Sequence, residues 1–122
     1  MDTTVSAHVP SIDPQALYGL VGTPGAPLVV DVRKQAAFDA DPRVVPGAIR
    51  RFHDAVEGWA PALDRGRPIV AYCVHGHQIS QGVADQLRGL GFDARILAGG
   101  VESWNAGGAP PCAPGVFRAS RA

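Results

Sequence analysis

The architecture of this chain follows from residues 69–80, which read Ile69-Val-Ala-Tyr-Cys-Val-His-Gly-His-Gln-Ile-Ser80. The run before the cysteine is apolar without alternation, which is typical of a strand buried on both faces of a parallel sheet. A short loop with a central glycine follows Cys73, and a helix is predicted from Ser80 onward. The stretch therefore predicts a strand, a cysteine, a loop and a helix in direct succession.

The rest of the chain repeats this alternation. Residues 28–32 and 94–97 are further segments predicted as strands, and residues 48–50 are predicted to form a short strand. The predicted helices begin at residue 14 and cover residues 34–40, 54–63, 80–90 and a short segment around residue 104. Since alternating strands and helices form parallel sheets, the sequence predicts an α/β fold, a central parallel sheet flanked by helices on both faces.

The helix over residues 80–90 has a clear apolar face and a clear end. Its apolar side chains at helical spacing are Val83, Ala84, Leu87 and Leu90. Gly91 stands where a helix commonly stops. Outside this helix, Phe92 and Trp104 are predicted core residues.

The length of 122 residues fits one compact domain. We expect a flexible lead-in over residues 1–10, the folded domain over residues 11–110 and a tail over residues 111–122. Two cysteines, Cys73 and Cys112, are too few for a disulfide framework. There is no apolar run of about 18 residues and no secretory signal pattern, so the expected location is the cytoplasm.

The charge balance excludes a general attraction to polyanions. Lys and Arg together number 11, and so do Asp and Glu. A net charge near zero does not draw a protein to nucleic acid or to an anionic membrane, so neither is a predicted partner. An anionic substrate would need a local site.

Cys73 is the leading candidate for chemistry. The backbone N–H groups of a loop between strand and helix can turn inward and form an anion-binding concavity, and the helix N-terminus adds its positive dipole end. Both favour the thiolate, which is the nucleophilic form, and both would stabilise an anionic persulfide. The alternative is a cysteine that ends a strand and packs in the core, but the succession of strand, cysteine, glycine loop and helix favours the reactive role.

Four landmarks occur in order along the chain: Val30-Asp-Val-Arg33 with Phe38, Val45-Pro-Gly-Ala-Ile49, Cys73 with Gly76, and Leu97-Ala-Gly-Gly-Val-Glu-Ser-Trp104 with residues 107–110 behind it. In this order they resemble the single-domain rhodaneses, or thiosulfate sulfurtransferases, over roughly residues 12–110. Each landmark is weak alone, but the shared order and spacing make a strong signal.

The resemblance implies a double displacement in which Cys73 takes sulfur from a small donor such as thiosulfate and passes it to a thiol or cyanide. It implies no metal and no organic cofactor. The residues implied to form the loop that holds the persulfide are Val74, His75, Gly76, His77, Gln78 and Ile79.

The chain departs from the family pattern at three positions. Gln78 stands where many members carry Arg, and Ile79 follows it, so a Cys-x5-Arg phosphate cradle is absent. A phosphatase would lack its main oxyanion clamp. Lys34 replaces the acidic residue usual after Asp-Val-Arg, and Arg43-Val44 occupies the stretch where a His commonly precedes the Ile-Pro-Gly turn.

Four charged residues are possible substrate contacts. Asp31 and Arg33 could face the loop amides and the substrate path, although such pairs more often fix neighbouring loops. Arg50 and Arg51 could supply the cationic charge that Gln78 lacks, or form a solvated basic pair.

The two loop histidines and the second cysteine leave alternatives open. His75 and His77 could bind the sulfonate of a donor or assist deprotonation of a thiol, or they could be exposed residues without a chemical role. Metal binding by these histidines and Cys73 is disfavoured, because the paired spacing of structural zinc sites is missing. The alternative functions are a non-catalytic binding or regulatory module, and a thiol redox protein in which Cys112 resolves an oxidised Cys73.

Overall fold

The structure, a computed structural model, describes residues 9–75 and 78–106. Within these residues, five strands form one sheet in the order β1-β5-β4-β2-β3, and neighbouring strands pair in parallel. The strands are β1 (Ser11–Ile12), β2 (Leu28–Asp31), β3 (Ile49–Arg50), β4 (Ile69–Tyr72) and β5 (Ala94–Leu97). The helices are α1 (Pro14–Leu20), α2 (Gln35–Ala40), α3 (Val56–Trp59), α4 (Gln78–Gly89) and α5 (Gly100–Ala106).

Different helices cover the two faces of the sheet. Along β4, Ile69 and Ala71 belong to a buried cluster with residues of α3 and α4, whereas Val70 and Tyr72 belong to a second cluster with residues of α1 and α5. Successive side chains of a strand point to opposite faces, so β4 is buried on both. The predicted α/β fold with helices on both faces of a parallel sheet is confirmed.

The carboxyl ends of β2 and β4 meet at one edge of the sheet. Asp31 pairs with Tyr72 in the parallel register, and the backbone N–H of Val32 donates to the Tyr72 carbonyl over 2.9 Å. Arg33 and Cys73 follow directly, so both lie at this edge. Ligands of open parallel sheets bind at such an edge.

The predicted length of the helix over residues 54–63 is wrong. Helix α3 spans four residues and is followed by a separate 3₁₀ turn, Ala60–Ala62. Pro61 explains the change, because proline has no N–H to donate to an α-helical hydrogen bond and its ring crowds the preceding turn.

Helix α4 differs from the prediction at both ends, since it begins at Gln78 rather than at Ser80. Leu90 lies beyond the last helical residue and is 39% exposed, so it is not part of the buried apolar face. Gly91 ends the helix as predicted, with a φ of +97° that glycine adopts readily. Phe92 and Trp104 are buried, and their prediction as core residues is confirmed.

No helix in the described part of the chain has both the length and the apolar character that crossing a membrane requires.

Candidate active site

Cys73 lies between the end of β4 and the start of α4. Its side chain is 7% exposed, and its Sγ lies 3.3 Å from the Oγ of Ser80. Ser80 is fully buried in the first turn of α4. The sulfur is therefore held against the N-terminal turn of a 12-residue helix, where the unpaired N–H groups and the helix dipole favour negative charge.

Ser80 is a site residue that the sequence prediction missed. It heads the buried face of α4, which continues through Val83, Ala84 and Leu87. A hydroxyl at the first position of an otherwise apolar stripe is the signal that could have identified it, because a buried hydroxyl needs a hydrogen-bond partner. Here that partner is the sulfur of Cys73.

The loop after Cys73 is described on both sides of its centre. Val74 and His75 follow the cysteine, and Gln78 and Ile79 open α4. Gly76 and His77 lie outside the described residues, so the amide cradle expected at the centre of the loop stays a prediction.

A pocket of about 520 Å³ opens beside Cys73. Arg33 and described residues of the loop line it, together with two residues of the β2–α2 region that the predicted site did not include, Lys34 and Ala37. The described residues that line it are Arg33, Lys34, Ala37, Cys73, Val74, His75, Gln78 and Ile79. Two of these described residues, Arg33 and Lys34, are cationic and none is acidic.

His75 connects the loop to α5. Its Nδ1 lies 2.8 Å from Oε1 of Glu102, and both side chains are exposed. The backbone N–H of Glu102 also donates to the carbonyl of Val74 over 3.0 Å. Glu102 therefore contacts a residue of the pocket lining. The sequence does not reveal this contact between distant elements.

The start of α5 packs directly on the backbone at Cys73. The N–H of Val101 donates to the Cys73 carbonyl over 2.9 Å. Gly100 has a φ of +67°, and a Cβ at this position would overlap the carbonyl oxygens of Cys73 and Val74. Only glycine permits this approach, which gives the Gly-Gly landmark a physical reason.

Asp31 and Arg33 form a buried ion pair behind the pocket. Arg33 Nη2 lies 2.7 Å from Asp31 Oδ2, and the two side chains are 1% and 0% exposed. The same guanidinium donates to the carbonyls of Asp41 and Arg43 over 2.7 and 2.9 Å. Burial alone would lower the pKa of Arg33, but the hydrogen bond and the charge of Asp31 raise it above its ordinary value. These contacts agree with the interpretation that the pair fixes neighbouring loops.

Tyr72 completes this buried network. Its hydroxyl donates to Asp31 Oδ2 and accepts from the backbone N–H of Val45, each over 3.2 Å. Burial, followed by the charge of Asp31, raises the pKa of Tyr72 well above its ordinary value.

Arg50 and Arg51 lie outside the described lining of the Cys73 pocket. Arg50 donates to the Arg33 carbonyl over 2.7 Å, and its guanidinium lies 4.5 Å from the centre of the Phe38 ring. Arg51 is exposed and donates to the carbonyl of Arg50 over 2.8 Å. The structure therefore brings Lys34, rather than these two arginines, to the pocket.

Two residues with predicted roles, Cys112 and His77, lie outside the described residues. Over residues 9–75 and 78–106, no group of three or more His, Cys, Asp or Glu side chains is arranged to hold a metal ion.

The fold places a cysteine sulfur at the N-terminus of a helix, beside a pocket whose described lining has no acidic residue. These features define a class of proteins suited to thiolate chemistry. Within this class, the chain belongs to the rhodanese-like domain family, whose sequence pattern matches residues 13–107.

Two solved structures have a similar fold. A rhodanese-related protein from Thermoplasma volcanium superposes with a TM-score of 0.72 at 25% sequence identity, covering 84% of this chain and 96% of that protein. A protein of unknown function from Rhodopseudomonas palustris, described as a possible tyrosine phosphatase, has a TM-score of 0.75 at 20% identity and covers 86% of each chain. At that identity the similarity concerns the fold alone.

A curated relative is similar in sequence. A tRNA sulfurtransferase from Desulfurococcus amylolyticus is 38% identical over 84 residues, which make up 69% of this chain. The match spans 16% of the length of that relative. The similarity therefore concerns one segment of a longer protein.

Proposed function

We propose that the protein is a sulfurtransferase that carries sulfane sulfur as a persulfide on Cys73. The observation that supports this most directly is the position of Cys73 Sγ, 3.3 Å from the buried Ser80 hydroxyl in the first turn of α4. The family assignment and the similarity to a tRNA sulfurtransferase support the same reaction class.

In the first half-reaction, the Cys73 thiolate attacks the outer sulfur of the donor. A sulfur–sulfur bond forms, and the bond between that sulfur and the rest of the donor breaks with its electron pair. When thiosulfate is the donor, sulfite leaves with two negative charges. The persulfide on Cys73 keeps the single negative charge that the thiolate carried.

Ser80 suits both states of the sulfur. A neutral thiol donates its hydrogen bond to the Ser80 oxygen, whereas an anionic sulfur accepts one from the Ser80 hydroxyl, because a hydroxyl can rotate to do either. Hydrogen bonds to charged groups are stronger than neutral ones. Ser80 therefore favours the charged form, together with the start of α4.

In the second half-reaction, an acceptor thiolate or cyanide attacks the outer sulfur of the persulfide. The bond between the two sulfurs breaks, and Cys73 leaves as a thiolate. Both steps are nucleophilic displacements at sulfur, and each balances without a metal or an organic cofactor.

The lining of the pocket gives a phosphatase less support. A phosphatase needs a guanidinium or an equivalent clamp on the transferred phosphoryl group. Arg33 lines the pocket, but its guanidinium is already bound by Asp31 and two backbone carbonyls. Gln78 carries no charge, and Lys34 offers one point charge rather than the bidentate fork of a guanidinium.

The test is mass spectrometry of the intact protein after incubation with thiosulfate. We expect the mass to increase by one sulfur atom, and cyanide to reverse the increase with release of thiocyanate. Cys73→Ala should show no increase, whereas the matched variant Cys112→Ala should behave like the wild type. An unchanged mass of the wild type after treatment with each sulfane donor tested would refute the proposal.

A further inference from the structure

A second pocket, about 680 Å³ in volume, lies between the end of α1, the start of β2 and the segment that leads into β3. It shares none of its described lining residues with the pocket beside Cys73. Its volume falls within the range of about 300–1,000 Å³ that is typical of sites for small organic ligands. Its walls are mainly apolar, and the larger side chains that form them are Leu17, Val21, Val29, Val44, Pro46 and Ile49.

The wall that leads into β3 is anchored to the buried network of Asp31, Arg33 and Tyr72. The backbone N–H of Val45 donates to the Tyr72 hydroxyl over 3.2 Å, and the carbonyl of Arg43 accepts from Arg33 over 2.9 Å. These bonds fix the backbone on which this wall is built. The second pocket is therefore formed by the fold itself, so a ligand need not order its walls on binding.

Arg67 is the one charged residue in the described lining of the second pocket. It is exposed, and it forms no ion pair within the described part of the chain. Its Nη2 donates to the carbonyl of Pro27, another lining residue, over a long 3.4 Å. This bond engages one of the five N–H donors that a guanidinium carries. The pocket thus combines apolar walls with one cation at its edge.

These features match a ligand that carries one negative charge and a hydrocarbon chain. An apolar chain that displaces water from apolar walls gains binding free energy. A carboxylate can accept two parallel hydrogen bonds from a guanidinium, a geometry that a lysine would not provide. A dianion would bring a second charge that no other cation in the described lining compensates, and Arg67 would repel an ammonium group.

We propose that the second pocket binds an aliphatic carboxylate. The carboxylate pairs with Arg67, and the hydrocarbon chain lies against Leu17, Val21 and Val29. This site is distinct from the pocket beside Cys73, so the inference does not depend on the proposed sulfurtransferase activity.

The experiment is isothermal titration calorimetry of the full chain with straight-chain carboxylates from butanoate to decanoate. We expect Kd to fall about two- to fourfold per added methylene, the factor that burial of a methylene provides, until the pocket is filled. The heat-capacity change of binding should be negative, because apolar surface is buried. Octylammonium should bind more weakly than octanoate.

A charge variant tests the role of Arg67. Arg67→Gln should raise the Kd of octanoate about two- to fivefold, the effect of losing an exposed ion pair, and should leave the Kd of octan-1-ol unchanged. Arg67→Lys should restore part of the affinity for octanoate. Arg51→Gln removes an exposed charge outside the described lining of the second pocket and is the matched control.

Two variants that fill the second pocket test where the chain lies. Ala26 and Ala48 line the pocket and are partly buried. Leucine at either position should shorten the chain length at which the affinity stops rising. The two are made separately and checked by urea unfolding, so that one poorly folded variant does not decide the test. Ala36→Leu makes the same change at an exposed position of α2, outside the described lining, and should bind like the wild type.

Several results would overturn the proposal. Affinity that does not depend on chain length, or that the folded Ala26→Leu and Ala48→Leu variants leave unchanged, would show that the chain does not enter the second pocket. Absence of binding, together with self-association in sedimentation velocity that Ala48→Leu disrupts, would assign this surface to a second copy of the chain. Cys73→Ala should bind octanoate like the wild type, and loss of binding would move the site to the pocket beside Cys73. Failure to form the Cys73 persulfide would refute the proposed function and leave this site unaffected.

Discussion

Removing one oxygen atom from Ser80 isolates its contribution to the chemistry of Cys73. Hydrogen bonds to charged groups contribute about 1.5–3 kcal/mol, and the Ser80 hydroxyl lies within 3.3 Å of the sulfur. We therefore expect Ser80→Ala to slow persulfide formation about tenfold or more, measured by rapid-quench mass spectrometry. Ser80→Thr keeps the hydroxyl and should retain most of the rate. Equal rates for Ser80→Ala and the wild type would show that the hydroxyl does not assist the sulfur.

The raised pKa of Tyr72 predicts that the free energy of unfolding falls at alkaline pH. Burial and then the Asp31 carboxylate raise the pKa of its hydroxyl above the value of about 10 in an unfolded chain. The folded state keeps the Tyr72 hydroxyl protonated to a higher pH than the unfolded chain does. This difference stabilises the folded state fully below about pH 10, and the contribution is lost progressively as the pH rises above that value. Urea unfolding between pH 8 and pH 11 should show a steeper loss for the wild type than for Tyr72→Phe.

The same variant also tests the hydrogen bonds of the Tyr72 hydroxyl at neutral pH. Tyr72→Phe leaves Asp31 with one donor fewer and the N–H of Val45 without its acceptor. A buried polar group that loses its partner costs about 1–3 kcal/mol, so the free energy of unfolding should fall by that amount at pH 7. Parallel pH profiles for the two proteins would contradict the alkaline prediction, whatever the offset at pH 7.

Helix α5 reaches the cysteine because of a single glycine. Gly100→Ala places a Cβ against the carbonyls of Cys73 and Val74, at a φ of +67° that residues other than glycine rarely adopt. We expect a loss of about 2 kcal/mol or more in the free energy of unfolding, together with loss of sulfur transfer, because the clash displaces the backbone that carries the sulfur.

Gly82 provides the matched control for this substitution. It lies inside α4 on the exposed side, and a Cβ there meets no atom within 4 Å. Gly82→Ala should raise the free energy of unfolding by about 0.5–1 kcal/mol, since alanine is the better helix former, and should leave activity unchanged. Chemical denaturation measures both effects, and a similar change in the two variants would contradict the role assigned to Gly100.

The elements that the sequence predicted well are those whose pattern is local. The uninterrupted apolar run of β4 and the helical spacing of Val83, Ala84 and Leu87 each lie within about a dozen neighbouring residues, so strand, helix and fold class followed from them. The contact of Glu102 with His75 and the place of Lys34 in the pocket depend on how distant elements pack. The periodicity of the sequence carries no information about contacts between distant elements.

We expect the site to depend on the buried pair of Asp31 and Arg33, which connects the sheet to the surrounding loops. Asp31 ends β2, and Arg33 reaches from it to the carbonyls of Asp41 and Arg43, so the pair anchors the segment that precedes β3. The chain on the other side of Arg33 continues into Lys34 and the pocket wall. Loss of the pair should therefore affect stability and the pocket together.

Asp31→Asn tests this connection, because it leaves the charge of Arg33 buried without a counter-charge. Breaking a buried ion pair by removing one partner costs about 3–5 kcal/mol, so the urea midpoint should fall sharply. Arg43→Gln breaks the exposed pair of Arg43 with Asp41 and should have a much smaller effect, because water and salt screen exposed charges. Similar midpoints for the two variants would mean that the buried pair does not hold the site together, and the Cys73 pocket would then depend on the packing of α4 and α5 alone.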